Sequence, residues 1–269
     1  MKSLENYLLV SDLDGTLYEN QNFLPEENKK AIEKFVSLGG KFTVATGRGV
    51  PTTKFISEMI QFDCPIIVNG GQTFYDYYKD KVVYTENLPE SAKDFVKLLM
   101  QNFSKVGVEI YSGNTVYALK VNEVTITHLE YEKTPFVEAT FEEVAELDWQ
   151  KVLFEDTFEN LVEIRKFARE NCPDDIKIID TNAKFMEFSN IGVDKGTAIL
   201  KLADMYEIPY ANVCAIGNYY NDVDMIEAAG IGAFVKDSPD DIKDKADYIT
   251  YKTCKECGFA EFVDYIINL

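Results

Sequence analysis

One short segment near the start of the chain constrains the fold most strongly, the run YLLVSDLDGTL from Tyr7 to Leu17. Its first half is continuously apolar, which predicts a strand buried on both faces. The strand ends in two acids, Asp12 and Asp14, and alternate residues of a strand point to the same side. Close carboxylates repel each other, and a bound cation would remove that conflict.

The alternative interpretation of this segment is an ordinary turn, because Asp-Gly is a common turn dipeptide. A turn explains Asp14 and Gly15 but not Asp12 or Thr16. At average composition, the pattern Asp-x-Asp-Gly-Thr is expected by chance in roughly a few per thousand chains of this length. We therefore favour a functional site, since open parallel sheets bind ligands beyond the carboxyl ends of their strands.

The next elements predict that the sheet is parallel. An apolar helical stripe runs from Pro25 to Leu38, Gly39-Gly40 ends it, and Lys41 to Ala45 forms a second strand. A strand, a helix and a strand within about 40 residues are typical of a βαβ unit, whose two strands run parallel.

The second strand ends in a polar, glycine-containing segment made of Thr46, Gly47, Arg48 and Gly49. The βαβ geometry places this segment beside the two acids, where a hydroxyl and backbone N–H groups could hold an anion. A plain glycine turn is the alternative. A third predicted strand, Pro65 to Val68, leads into Asn69. Arg48 and Asn69 are candidate substrate contacts, and a salt bridge or a turn is the competing role for each.

The pattern changes between about Gly71 and Asn190. Each half of this stretch predicts a helix followed by two strands, with hairpins over 108–121 and 176–188. We expect one mostly antiparallel sheet with its helices on one face. About 120 residues are far more than a βα crossover needs. The predicted organisation is therefore a core domain, residues 1–80 and 190–269, interrupted by an inserted domain, residues 81–189.

The first pattern returns at Lys195, which lies at the start of a predicted helix. The helix dipole disfavours a cation there, so a nearby acid cluster or a bound anion is expected. A fourth buried strand, Val213 to Ile216, then ends in the sequence GNYYND. The last two residues of that sequence, Asn221 and Asp222, suit helix capping as well as ligand binding, and the two roles are compatible.

The composition argues against several classes of partner. The chain has 27 basic and 46 acidic residues, a net charge of −19, so we expect neither nucleic acid nor membrane as a partner. Its five cysteines are scattered and odd in number, which favours a reducing, cytoplasmic location. The single histidine, His128, argues against a histidine-rich metal site and against a Ser-His-Asp triad.

Four separated segments together resemble the motifs of the haloacid dehalogenase (HAD) superfamily: Asp12–Thr16, Thr46–Arg48, Lys195 and Gly217–Asp222. The long insertion resembles the cap of the type IIB members, and the Cof-like sugar-phosphate phosphatases are the most similar group. The resemblance implies an α/β fold, with a Rossmann-like parallel sheet core and an inserted α+β cap domain of type C2B.

The same resemblance implies a magnesium-dependent phosphatase that hydrolyses small phosphate monoesters, sugar phosphates in particular, through an aspartyl-phosphate intermediate. The implied catalytic residues are Asp12, Asp14, Thr46 and Lys195. The implied substrate-binding residues are Thr46, Gly47, Arg48, Asn69, Lys195 and Asn221. The implied ligands of Mg²⁺ are Asp12, Asp14, Asn218 and Asp222. The expected partner is a small phosphorylated metabolite, and the expected state is a monomer or weak homodimer.

The chain departs from the family pattern at Asn218, where an aspartate usually supplies a carboxylate to the metal. An amide oxygen can still coordinate a cation, but it brings no charge, so the metal affinity stays open at this point. Two alternatives to the phosphatase also remain. One is a phosphomutase, which retains the same acids, and the other is a phospho-ligand-binding protein with weakened catalysis.

Overall fold

A computed structural model describes residues 3–19 and 23–269 of the chain. The chain divides into two compact units: the first comprises Met1–Gly47, Lys54–Val83 and Val193–Leu269, and the second comprises Arg48–Thr53 and Tyr84–Gly192. The main part of the second unit, Tyr84–Gly192, begins and ends three residues later than the inserted domain expected over 81–189. The unit also includes the separate segment Arg48–Thr53.

Strands and helices are interspersed along the chain. The strands are β1 (Leu8–Ser11), β2 (Lys41–Val44), β3 (Ile66–Val68), β4 (Thr73–Asp76), β5 (Lys81–Thr85), β6 (Gly107–Ser112), β7 (Thr115–Lys120), β8 (Phe136–Glu138), β9 (Lys151–Glu155), β10 (Ile176–Asn182), β11 (Phe185–Asn190), β12 (Val213–Gly217), β13 (Ile231–Phe234) and β14 (Tyr248–Ile249). The helices are α1 (Glu26–Ser37), α2 (Val50–Met59), α3 (Ser91–Asn102), α4 (Glu123–Glu132), α5 (Phe141–Val144), α6 (Phe158–Asn171), α7 (Lys195–Met205), α8 (Val223–Ala228) and α9 (Gly258–Asn268).

The first unit is organised around a parallel sheet with the strand order β14-β13-β12-β1-β2. Strand β1 lies between β12 and β2, and Ser11 at its carboxyl end is level with Ile216 on one side and Val44 on the other. All four residues of β1 are buried, and Leu8, Leu9 and Val10 are apolar, as expected of a strand that is covered on both faces. The carboxyl ends of the three strands therefore meet at one edge of the sheet.

Two pairs of helices complete this unit, α1 with α9 and α7 with α8. The amphipathic helix α1 buries Ala31, Ile32 and Phe35 on the face that its sequence predicts. The aromatic rings of Phe42 on β2 and Phe259 on α9 meet edge to face, with their centroids 5.8 Å apart. A parallel sheet packed with helices is the Rossmann-like core that the sequence predicts.

The predicted third strand, β3, forms, but it belongs to a separate sheet with the order β3-β4-β5. It pairs antiparallel with β4 and touches the extension of β2 through a single parallel bridge between Ala45 and Ile67. This bridge still brings the carboxyl end of β3, and therefore Asn69, next to that of β2.

The second unit is built on a six-stranded sheet with the order β10-β11-β9-β6-β7-β8. Its neighbouring strands are antiparallel except for β7 and β8, which are parallel. Alternate strand residues, among them Ile110, Phe154 and Phe188, pack with α3 and α6 in one hydrophobic core. The mostly antiparallel α+β arrangement expected of this domain is thus present.

The opposite face of this sheet carries a second, smaller apolar cluster. Tyr111, Val116 and Leu153 pack there against Leu129 of α4. The expectation that the helices lie on one face only is therefore wrong. The helix α4 was not predicted because its β-branched residues favour a strand, whereas the side chain of Asn122 caps its first turn by accepting from two backbone N–H groups.

Within residues 3–19 and 23–269, no helix is both long enough and apolar enough to cross a bilayer.

Candidate active site

The candidate site lies in the first unit, where the chain leaves β1, β2 and β12. The backbone N–H of Asp12 donates to the carbonyl of Ile216, which continues the pairing of β1 with β12 by one residue. The N–H of Thr46 donates to the carbonyl of Ile67, and the carbonyl of Thr46 accepts from Gly70. The sheet thus fixes the backbone positions from which the side chains of the site project.

The centre of the site is a buried cluster of one lysine and two aspartates. The ammonium Nζ of Lys195 lies 2.6 Å from Oδ1 of Asp12 and 2.6 Å from Oδ1 of Asp222. The exposed fraction is 2% for Lys195, 5% for Asp12 and 0% for Asp222. Nearby acids therefore stabilise a cation at the first residue of α7, where the helix dipole alone would oppose it.

The helix that carries Lys195 is fixed in place by its cap and by glycines. Asp194 and Thr197 form a reciprocal capping box at the start of α7. A Cβ atom on Gly71 would lie 2.4 Å from the carbonyl oxygen of Asp194, and one on Gly196 would lie 2.3 Å from that of Asp224. Only glycine permits these close approaches, which set the start of α7 against its neighbours.

The surroundings of Asp12 disfavour its ionised form when no metal is bound. Burial, followed by the charge of Asp222, raises the pKa of Asp12 from 3.8 to about 7, although Lys195 acts in the opposite direction. Burial would lower the pKa of Lys195, but its two carboxylate partners raise it well above the usual value, so the ammonium stays charged. The cluster is therefore short of positive charge.

Asp222 makes contacts that hold the loop after β12 in place. Its Oδ2 accepts hydrogen bonds from the backbone N–H groups of Asn218 and Tyr219, at 2.9 and 3.1 Å. A Cβ atom on Gly217 would lie 2.4 Å from the Cβ of Asp222, so the loop can close this tightly only with glycine. Both oxygens of Asp222 thus have protein donors, which fits a positioning residue better than a direct metal ligand.

Asn218 lies against the turn that follows Asp12. A Cβ atom on Gly15 would be 2.3 Å from Nδ2 of Asn218, and Gly15 itself has the left-handed φ of 78°. The glycine of the Asp-Gly-Thr sequence therefore does two things: it permits the turn and leaves room for the side-chain amide of Asn218. The side chain of Asp14, in the same turn, is exposed.

The other predicted site residues lie in different surroundings. Thr46 is buried, Gly47 is half-buried and Asn221 is exposed. Asn69 has a left-handed φ of 52°, is 2% exposed, and donates from Nδ2 to Thr73 at 3.3 Å. Its Oδ1 accepts no hydrogen bond from any described residue, which is unusual for a buried amide.

Arg48 belongs to the second unit rather than to the first. Its guanidinium Nη1 lies 3.7 Å from Oε1 of Glu132 on α4. A salt bridge, which the sequence left open for this residue, is therefore present in the structure.

One contact of the site was not predicted from the sequence. The hydroxyl of Thr16, which is fully buried, donates to Oδ2 of Asp12 at 3.3 Å. Together with Lys195 at Oδ1, it fixes the orientation of the Asp12 carboxylate. The signal was the position of Thr16 in the Asp-x-Asp-Gly-Thr sequence, which a turn does not explain.

A hard divalent cation such as Mg²⁺ fits the charge and the donor chemistry of this site. Asp12, Asp14 and Asp222 bring three negative charges, and Lys195 compensates only one of them. Asn218 adds an amide beside the turn, and Mg²⁺ prefers carboxylate, carbonyl and water oxygens. The raised pKa of Asp12 is the expected sign of a carboxylate arranged to share its charge with a cation.

A family model for haloacid dehalogenase-like hydrolases matches residues 9–263, and the chain therefore belongs to that family. The HAD resemblance inferred from the four motifs is thus confirmed. Two curated relatives from Bacillus subtilis strain 168 are named 5-amino-6-(5-phospho-D-ribitylamino)uracil phosphatases. YcsE is 24% identical, over 90% of this chain and 89% of that protein. YwtE is 26% identical, over 97% of this chain and 98% of that protein.

Solved structures confirm the predicted HAD fold. A haloacid dehalogenase-like hydrolase from Bacteroides thetaiotaomicron matches with a TM-score of 0.86 and 23% identity, covering 97% of this chain and 99% of that one. A sugar phosphatase of HAD subclass IIB matches with a TM-score of 0.82 and 19% identity, covering 98% of this chain and 100% of that one.

Proposed function

We propose that this protein is a magnesium-dependent phosphatase that hydrolyses small phosphate monoesters, sugar phosphates in particular, through an aspartyl-phosphate intermediate. The observation that carries the proposal is the buried group of Asp12, Lys195 and Asp222 at the carboxyl ends of the central strands. The chain's membership of the hydrolase family and the names of its relatives support the same reaction class.

Asp12 is the nucleophile in this proposal. Its carboxylate is held at both oxygens, by Thr16 and Lys195, so that it is oriented before the substrate arrives. One of its oxygens forms a bond to phosphorus while the bond from phosphorus to the ester oxygen breaks, which gives an aspartyl-phosphate. Lys195, which remains protonated, offsets the negative charge of the transferring group.

Asp14 is the general acid and base. It gives a proton to the leaving ester oxygen, and it then takes a proton from the water that attacks the phosphorus of the aspartyl-phosphate. Its exposed position suits an exchange of protons with solvent between the two steps. Such acid–base assistance is typically worth about 10²- to 10⁴-fold in rate.

The remaining residues bind and position. Thr46 and Gly47 offer a hydroxyl and a backbone N–H to the phosphoryl group, and Asn221 is a further phosphate contact. Asn69 is a candidate substrate contact because its Oδ1 lacks a donor among the described residues. Arg48 is kept as a weaker candidate, since its guanidinium already faces Glu132.

Mg²⁺ would be held by Asp12, the backbone carbonyl of Asp14 and Asn218. Asp222 would position Asn218 by accepting a hydrogen bond from its backbone N–H. When bound, the ion neutralises the phosphoryl oxygens and so removes the repulsion between two anions. The substrate is a small phosphorylated metabolite, and we place the protein in the cytoplasm.

The test is phosphate release from a panel of monoesters, measured in Mg²⁺ and in EDTA. The panel contains sugar phosphates, phosphoglycolate and the phosphorylated ribitylaminouracil of the relatives' names. We expect release by the wild type in Mg²⁺ only, and loss of release in Asp12→Asn. An isomerised sugar phosphate without free phosphate would identify a phosphomutase.

The charge missing at Asn218 favours one competing function, a protein that binds phosphorylated ligands without turning them over. That protein would show a higher melting temperature with phosphorylated ligands but no release from any ester. Phosphate release at equal rates with and without Mg²⁺ would contradict the metal requirement.

A further inference from the structure

The second unit contains a separate cluster of ionisable residues on the face of its sheet that carries α4. Glu109 on β6 and Glu155 on β9 are on adjacent strands, and Glu109 lies opposite Leu153, two residues from Glu155. The two carboxylates therefore share one face of the sheet. His128 of α4 reaches both: its Nδ1 lies 3.3 Å from Oε1 of Glu109 and 2.7 Å from Oε1 of Glu155.

This cluster, which we call the His128 cluster, lacks one positive charge. Glu109 and Glu155 are both fully buried, and a protonated imidazole could neutralise only one of them. The neighbouring cations are already used. Lys151 lies 2.9 Å from Glu187, and Arg48 pairs with Glu132 at 3.7 Å. A buried, uncompensated carboxylate is unfavourable by several kcal/mol.

The shortage of positive charge is greatest at Glu155. Apart from the contact of Oε1 with His128, neither carboxylate oxygen of Glu155 has a well-formed hydrogen bond from a residue that the structure describes, although the residue is 0% exposed. Burial raises the pKa of this carboxyl even though His128 and the Thr125 hydroxyl act in the opposite direction. Buried carboxylate oxygens in folded proteins nearly always have a donor. Burial would lower the pKa of His128, but the carboxylates around it raise it to about 11, which is a further sign of excess negative charge.

The partners around the cluster have the arrangement of a supporting shell. The Oε2 of Glu109 accepts from the hydroxyl of Tyr111 at 2.9 Å. The other ring nitrogen of His128, Nε2, faces the carboxylate of Glu132 at 3.6 Å. A ligating histidine usually donates its second N–H to a carboxylate in this way, which fixes the tautomer with the free nitrogen toward the metal.

We propose that Glu109, His128 and Glu155 bind one divalent transition-metal ion, with Zn²⁺ and Co²⁺ as the fitting ions. One donor atom from each of the three residues lies within 4.8 Å of the others. One imidazole and two carboxylates form a donor set that suits these ions, and a dication would neutralise both acids with the imidazole uncharged.

One of the two distances from His128 agrees with a tetrahedral site. Two ligand atoms about 2.0–2.2 Å from one ion are roughly 3.3–3.6 Å apart at the tetrahedral angle, and Nδ1 of His128 lies 3.3 Å from Oε1 of Glu109. The Oε1 of Glu155 is 2.7 Å from Nδ1, closer than this range, so Glu155 would bind the ion through its other oxygen, Oε2. The side chain of His128 retains 10% exposure, which leaves a path for an ion from solvent.

The bound ion would join α4 to two strands of the sheet, so its role is structural and does not depend on the proposed phosphatase activity. The site shares no residue with the Asp12 site. Consequently, an Asp12→Asn protein still contains the complete His128 cluster, and the two metal sites can be studied separately.

The test is a titration with Co²⁺ of the 269-residue protein after it has been stripped with EDTA. Titrations of Asp12→Asn in excess Mg²⁺ leave the His128 cluster as the only proposed Co²⁺ site, and visible absorption and metal analysis after dialysis measure the binding. We expect one Co²⁺ per chain with a spectrum of nitrogen and oxygen ligands, and a higher melting temperature. Zn²⁺ should displace the Co²⁺.

Variants in the same background separate a metal site from a simple ion pair. His128→Gln and Glu155→Gln should lose the bound Co²⁺, while Glu130→Gln, an exposed acid on the same helix, should bind it normally. Glu132→Gln keeps all three ligands, removes the supporting carboxylate, which is also the partner of Arg48, and should weaken binding about 10- to 100-fold. Glu132→Gln therefore tests the metal site even if a variant of one of the three ligands fails to fold. Absence of Co²⁺ binding in Asp12→Asn, or equal binding by Asp12→Asn with and without Glu132→Gln, would overturn the proposal.

Discussion

The buried carboxylate of Asp12 leads to a prediction about stability in the absence of metal. Its pKa in the folded protein is about 7 instead of 3.8, because of burial and the charge of Asp222. Between these two pH values the folded state keeps a proton that the unfolded state has lost. Stability falls with rising pH wherever the folded state binds more protons, so the metal-free protein should lose stability over this interval.

The size of the effect follows from the shift. About three pKa units at about 1.36 kcal/mol each give a loss on the order of 4 kcal/mol between pH 4 and pH 8. Asp12 is only 5% exposed, so solvent screening reduces this figure little. Lys195 adds no slope in this range, because its raised pKa matters only in alkaline solution.

The assay is urea unfolding in EDTA at about pH 4 and pH 8, with Asp12→Asn as the matched control. The amide has the same shape but does not titrate, so subtracting its pH dependence removes the contributions of groups that do not interact with Asp12. Relative to this control, the wild type should lose on the order of 4 kcal/mol on going to the higher pH. Adding Mg²⁺ at pH 8 should restore much of the loss in the wild type only. The same pH dependence in both proteins would refute the reasoning.

Three further substitutions test the remaining contacts of the site. Lys195→Met removes the cation that lies 2.6 Å from two carboxylates. It should lower the free energy of unfolding by about 3–5 kcal/mol at pH 8. The loss should be smaller at pH 5, because Asp12 can be protonated there. An equal loss at both pH values would contradict this. Asn218→Asp should tighten Mg²⁺ binding on the order of tenfold in calorimetry, because it restores a charged ligand; an unchanged Kd would count against Asn218 as a ligand. Asp222→Asn should cost about 1–3 kcal/mol and speed amide hydrogen exchange at Asn218 and Tyr219; unaltered exchange would show that Asp222 does not hold this loop.

The core of the fold could be predicted from the sequence because local signals agree with the tertiary structure there. The segments that form β1 and β12 are short, mainly apolar runs followed by polar residues, as buried parallel strands require, and β2 follows a helix that ends in a glycine pair. Helix α4 and strand β8 could not be predicted in this way. The former has β-branched residues and is stabilised by its cap and by Leu129, and the latter is a three-residue edge strand whose residues are all exposed.

The site was predictable to the extent that its residues occur in recognisable segments. The position of Lys195 at a helix start suggested a nearby acid cluster or a bound anion, and the structure brings Asp12 and Asp222 to it. The orientation of those acids depends on contacts between distant parts of the chain, so no local pattern contains it. The same holds for the His128 cluster, whose three members come from two strands and a helix that was not predicted.

The central claim, that Asp12 is the nucleophile, is tested most directly by trapping the intermediate. The enzyme is quenched with acid during turnover, the acyl phosphate is reduced with borohydride, and the peptide that contains residue 12 is sequenced by mass spectrometry. We expect homoserine at position 12 in the wild type and unmodified peptide in protein that received no substrate. Reduction at a different residue, or phosphate release by Asp12→Asn at the wild-type rate, would contradict the mechanism.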